Sequence, residues 1–192
     1  MKKIILFVFL VVSSINQINA QEKGNTLLGG SFKYLSENID EGVGDQGLDN
    51  SSQFTISPVI GYMVNDKVAI GTALNYTELK SDYYYGKIEN QTLTIAPFVR
   101  IHNNITENLK YYIEPSIGKT FILGDSDNKD NIYNIGVNFG LLYFFVKNMS
   151  LELNIGGANY VSVSNKEYNY KNNTLSIDYD LVTPNIGFKY YF

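Results

Sequence analysis

The sequence predicts an all-β fold: an eight-stranded antiparallel up-and-down transmembrane β-barrel, preceded by a cleavable signal peptide. Three observations carry this. Apolar and polar residues alternate with period two over eight separate stretches. The connections between those stretches alternate long and short. No stretch beyond residue 20 is apolar for long enough to cross a bilayer as a helix, which takes about 20 residues.

Residues 1–20 read as the signal peptide. Lys2 and Lys3 form a positive start, Ile4 to Val12 is an unbroken apolar run, and Ala20 is the small residue before the expected cut. The run is too short to span a membrane. Cleavage there removes two lysines and takes the net charge from -4 to -6. Residues 21–192 then form one barrel domain, with no Pro/Ser linker to divide them.

The strands fall near 26–35, 53–64, 67–79, 90–102, 109–123, 132–146, 149–163 and 174–192. The second shows the pattern well. Phe54, Ile56, Pro58, Ile60, Tyr62 and Val64 share one face, and Thr55, Ser57 and Gly61 share the other. Long connections are expected at 36–52, 80–89, 124–131 and 164–173, and short turns at 65–66, 103–108 and 147–148. All four prolines, Pro58, Pro97, Pro115 and Pro184, lie on the apolar parity of their strands. Proline in a fully paired strand removes a ladder donor, so four in similar contexts mark a recurring local device.

The two faces differ in kind. The apolar parity runs through residues such as Phe32, Ile70, Ile95, Ile113, Val137, Leu151, Leu153 and Ile155, and is expected to carry no charge in any of the eight strands. Thr72 and Asn159 are its clearly polar members. The opposite parity holds Lys33, Arg100, Lys110, Glu114, Glu152 and Lys189, with many Gly, Ser, Ala and Asn. A soluble lipocalin-like carrier would turn the apolar face inward. A membrane barrel would turn it outward, against lipid. The small, mixed-charge face suits a narrow interior. Tyr62, Tyr111, Tyr143, Phe145, Tyr190 and Phe192, near strand ends, suit an interfacial girdle. The membrane barrel is the expectation.

Ile186, Phe188, Tyr190 and Phe192 place apolar residues at every second position up to a final aromatic. This resembles the C-terminal recognition strand of Gram-negative outer-membrane proteins. The segment Ile56 to Gly71, with Pro58, Gly61-Tyr62 and Asn65-Asp66, is similar to the strand-turn-strand core of the small porin-like outer membrane protein beta-barrel domain family. The resemblance implies export by the general secretory pathway, residence in the cell outer membrane, and an assembly signal in those four residues. It implies contact with outer-membrane lipid, lipopolysaccharide and the barrel assembly machinery. The family shares no catalytic motif, so no catalytic residue comes with it.

Chemistry is sparse. The absence of Cys excludes disulfides, thiolate zinc sites and cysteine nucleophiles. A single His, His102, excludes any site built on two imidazoles, and at the short-turn end, beside Asn103-Asn104, it reads as a turn residue. The acidic net charge argues against nucleic acid as a partner. The acidic run Asp125 to Asp130 lacks the Gly and the terminal Glu of a hand-type calcium loop. The expectation is no catalytic, cofactor or metal site, no cofactor, and a monomer. Lys33, Arg100, Glu114, Glu152 and Lys189 are the candidate lumen network, with Arg100 and Glu114 on neighbouring strands, and likewise Glu152 and Lys189. Three functions are weighed: a non-enzymatic barrel serving envelope integrity or surface contact through its loops, a narrow porin passing small solutes, and an outer-membrane enzyme, which lacks a credible catalytic group; a soluble lipocalin-like ligand carrier is the alternative outside the membrane.

Overall fold

The computed structural model describes residues 22–38, 48–83, 86–124, 130–179 and 185–192. The expected signal peptide, the acidic run at 125–129, most of the 36–52 connection and Pro184 lie outside them. The strands are β1 (Thr26–Asn38), β2 (Leu48–Asn65), β3 (Val68–Tyr83), β4 (Gly86–Asn104), β5 (Leu109–Leu123), β6 (Asn131–Val146), β7 (Met149–Asn165), β8 (Tyr170–Tyr179) and β9 (Asn185–Tyr191). No helix among the described residues is long and apolar enough to cross a membrane.

Every pairing is antiparallel between sequence neighbours until the end, where β9 joins both β1 and β7 and closes the ring. The join is completed by two backbone bonds, Thr26 N–H to the Phe192 carbonyl at 2.7 Å and Phe192 N–H to the Thr26 carbonyl at 2.9 Å. Closure leaves no sheet edge around the lower barrel, as hydrocarbon requires.

The eighth stave departs from the expected single strand at 174–192. β9 pairs the lower half of β7 and β8 pairs its upper half. The break coincides with a register shift in the β6–β7 ladder: Phe139 faces Gly156, but Gly140 faces Asn154, which leaves Ile155 as an extra residue. A bulge of this kind flips the parity beyond it. Gly156, Ala158 and Tyr160 therefore follow Leu151 and Leu153 onto the outer face. Asn159, expected on the apolar face, instead faces Gly136 on the inside.

The outer face is apolar. Phe32, Ile56, Ile60, Ile70, Ile113, Ile135, Val137, Leu151 and Ile186 are all 40–70% exposed. In water such a surface would be one continuous hydrophobic patch. Against lipid it is the expected solvent face. The lipocalin-like arrangement has the opposite polarity and is excluded. Glu78 and Lys119 share the outward parity, but each lies ten residues beyond the start of its strand at the short-turn end. At about 3.3 Å per residue along a tilted strand, that is the top of an apolar band about 25 Å tall. The charge-free region is thus the central band rather than whole strands.

At the opposite end the turns are tight. Asn65 Oδ1 accepts the Lys67 and Val68 N–H groups, each at 2.9 Å, and Thr106 Oγ1 accepts the Leu109 N–H at 3.1 Å. Such side-chain caps pre-form a short reversal. Tyr62, Tyr111, Tyr143, Phe145 and Phe192 ring this rim at 40–50% exposure. The expected loop at 80–89 is mostly strand. β3 and β4 stay paired up to Tyr83 and Gly86. Their projecting ends carry an alternating charge ladder, with Lys80 to Glu78 at 3.3 Å, Lys80 to Glu89 at 3.5 Å and Lys87 to Asp82 at 3.2 Å. Such a ladder belongs above the hydrocarbon, so hydrogen-bonded strand replaces open loop there.

Candidate functional site

The lumen is the only large internal space an eight-stave barrel has, and its side chains stack in layers. The layer beside the short turns is apolar. Leu27, Met63, Ala69, Tyr112, Leu142, Phe144 and Tyr191 are buried there, from all around the ring. Large and small residues interlock. A Cβ on Gly140 would sit 2.8 Å from the Tyr112 ring, and one on Gly71 would sit 2.6 Å from Phe98. These glycines are the holes that the aromatic rings fill. Phe144 and Tyr191 pack with ring centroids 5.5 Å apart.

His102 belongs to this plug. It lies within β4, not in the turn, and is 1% exposed. The strand simply runs two residues past it, and its even parity, shared with Phe98 and Arg100, turns it inward. Both ring nitrogens, and the Ser150 hydroxyl, lack a hydrogen-bond partner among the described residues. A histidine so placed has neither the orienting partner nor the nucleophile that acid–base catalysis needs.

Directly above the plug lies an ionic layer. Arg100 donates from Nε to Glu114 Oε2 at 2.5 Å, from Nη1 to Glu152 Oε2 at 2.6 Å, and from Nη2 to Glu152 Oε1 at 3.2 Å. Lys189 Nζ reaches Glu152 Oε2 at 3.2 Å, and the Tyr112 hydroxyl donates to Glu152 Oε1 at 3.0 Å. The Arg100 guanidinium stands 4.2 Å from the Tyr112 ring centroid. Two cations and two carboxylates balance, and the fork of Arg100 satisfies both oxygens of Glu152. Burial on this scale is tolerable only because every charge is paired.

Of the five candidate network residues, the structure brings four together. The two neighbouring-strand pairs become one cluster because Arg100 crosses the lumen from β4 to β7. Lys33 faces the same interior, opposite Thr55, but on a higher row, and it takes no part. Tyr112, His102 and the apolar plug were not anticipated. Their signal was Tyr112, Leu142 and Phe144 interrupting the polar parity beside the short turns.

Above the ionic layer the lumen opens into a polar cavity of about 180 Å³. Ser31, Ser57, Asn75, Asn138, Asn154 and Asn185 line it, and the ion cluster forms its floor. Among the described residues no three His, Asp or Glu side chains converge to hold a metal ion. The arrangement stacks a layer of paired charges on a layer of buried apolar side chains.

A closed eight-stave barrel with an apolar exterior and a packed interior is the fold of the small outer-membrane barrels. Among solved structures the chain is similar to the outer membrane protein OprG from Pseudomonas aeruginosa, with 16% identity over 92% of this chain and 99% of that one, at a TM-score of 0.50. It is also similar to Neisserial surface protein A, with 18% identity over 88% of this chain and 98% of that one, at a TM-score of 0.54. No protein-family model matches the chain, and no curated protein matches it.

Proposed function

We propose that this protein is a non-enzymatic, integral barrel of the Gram-negative outer membrane whose lumen does not conduct. It acts through its outer surface and the loops at its far end, in envelope integrity or surface contact. The observation that carries this reading is the double closure of the bore. A permeating ion would have to displace the Arg100–Glu152 pair and then cross a layer of Leu27, Tyr112, Leu142, Phe144 and Tyr191. Removing a charge from its buried partner costs several kcal/mol, and an apolar constriction excludes water as well.

The reading includes export by the secretory pathway, insertion by the barrel assembly machinery, and a monomer surrounded by lipid and lipopolysaccharide. The polar cavity above the ion cluster favours a porin only if it continues through the plug. Planar-bilayer recording of the purified protein tests this. Silence at modest voltage supports a sealed barrel, and discrete open levels would overturn it in favour of a narrow porin. Heat-modifiable migration of the protein from purified outer membranes tests closure and location together.

A further inference from the structure

The prolines point to a weak seam in the barrel wall. Pro58, Pro97 and Pro115 all face outward, and each interrupts the ladder on one side only. Pro58 keeps its rung to Gly30 of β1, while the β2–β3 ladder skips from Ile56↔Tyr76 to Val59↔Ala73. Pro97 keeps its rung to Thr72 of β3, and Pro115 keeps its rung to Val137 of β6. Both leave their gap in the same place, the β4–β5 ladder. There the rungs run Ile95↔Lys119, then Phe98↔Ser116, then Ile101↔Ile113, with no rung between them. In that register Pro97 stands opposite Ile117 and Pro115 opposite Val99, so each strand withholds one N–H from the other's carbonyl. No other ladder in the barrel carries a proline from both of its strands at such positions among the described residues.

Side chains cross this gap on the lumen side. Arg100 and Glu114 occupy one of the missing rungs, and their side chains form the 2.5 Å ion pair described above. Farther up, Thr94 and Thr120 face each other, and their hydroxyls meet at 2.7 Å. We propose that β4–β5 is a built-in parting line of the wall, weakened by the facing prolines and held shut by the Arg100–Glu114 pair. Arg100 and Glu114 then act as positioning residues for the wall. The Arg100–Glu152 contact seals the bore, and the Arg100–Glu114 contact staples the seam. The line separates lipid from the polar cavity, which Ala96, Phe98 and Ser116 also line. Parting would therefore open the cavity sideways and leave the plug below intact.

Amide hydrogen exchange on the full barrel in lipid nanodiscs tests this. The Val99, Ile101, Ile113 and Ile117 amides should exchange faster than amides at the same height in the β3–β4 and β6–β7 ladders. Glu114→Gln should raise that local exchange by about tenfold or more, the scale of one lost charge-assisted bond in a local opening. It should leave β6–β7 unchanged. The Pro97→Val/Pro115→Val double variant should restore protection, and so should the oxidised Thr94→Cys/Thr120→Cys double variant in the Glu114→Gln background. Uniform protection across all ladders in the native chain would overturn the proposal. So would a Glu114→Gln effect spread evenly around the barrel, or a failure of both rescues.

Discussion

Arg100 on β4 and Glu152 on β7, three staves apart in a ring of eight, meet across the lumen, with Nη1 of one 2.6 Å from Oε2 of the other. They are 52 residues apart in sequence, yet each is 10% exposed or less at its side chain. The contact links opposite walls, so it constrains the barrel's cross-section as well as filling it. Lys189 approaches the same carboxylate from β9, the stave that closes the ring.

Removing Glu152's charge should therefore be costly. Glu152→Gln leaves Arg100 and Lys189 sharing Glu114 alone, and an uncompensated buried charge costs about 3–5 kcal/mol. Glu114→Gln should cost less, because Arg100 keeps both oxygens of Glu152. Urea titration in lipid vesicles gives the ranking. Neither substitution should create a conducting pore, since Leu142, Phe144 and Tyr191 still block the bore beneath. Stable open levels with Glu152→Gln would show that the ionic layer alone seals the lumen.

The lipid face gives a second test. Val137 faces outward in mid-strand at 40% exposure, and Asn138 beside it faces the interior, opposite Glu114 and Gly157. Val137→Arg should cost roughly 2–4 kcal/mol, the penalty for a cation at the bilayer midplane. Asn138→Lys should be much milder, because that side chain points into the polar cavity. The same vesicle titration decides it, and the reverse ranking would mean that inside and outside had been exchanged.

The period-two pattern was legible because strand parity is a local property. A residue's face follows from its immediate neighbours, so Val137 and Asn138 could be sorted without knowing the ring. Three things were not local. The bulge at Ile155 depends on how β7 pairs with β6, β8 and β9 together, and nothing in the stretch around Asn159 signals it. The Arg100–Glu152 contact depends on ring closure and stagger, so reading neighbouring strands found the Arg100–Glu114 and Glu152–Lys189 pairs but not their union. The burial of His102 depends on where β4 ends, and the Asn103-Asn104 pair reads as turn although both residues are paired with β5.

The two ends of the barrel should be distinguishable on cells. The connection between Gly124 and Asp130 joins β5 to β6 at the end opposite the tight turns. An epitope inserted there should bind antibody on intact cells, whereas one inserted at Asp66-Lys67 should be reached only after the outer membrane is broken. Labelling in the opposite order would invert the proposed topology.

The final test concerns Phe192. Its backbone makes both closing bonds to Thr26, and its ring stacks on Tyr190 with centroids 5.8 Å apart, on the outer face at the short-turn rim. Tyr190 is anchored in turn by Asn148, whose Nδ2 donates to the Tyr190 hydroxyl at 3.1 Å. An aromatic pair at this depth sits at the membrane interface, where such rings are favoured. Deleting Phe192 removes two backbone bonds at the rim, where water can replace them, so the finished barrel should lose only about 1–2 kcal/mol. The six β1–β9 rungs from Leu27↔Tyr191 to Phe32↔Ile186 remain. The resemblance of Ile186, Phe188, Tyr190 and Phe192 to a recognition strand adds a separate expectation: delivery to the membrane should fail before stability does. Outer-membrane yield in cells and the unfolding midpoint of protein refolded in detergent separate the two effects. A sharp fall in yield with a nearly unchanged midpoint supports an assembly role for the terminal aromatic. Normal yield would show that Phe192 serves closure alone.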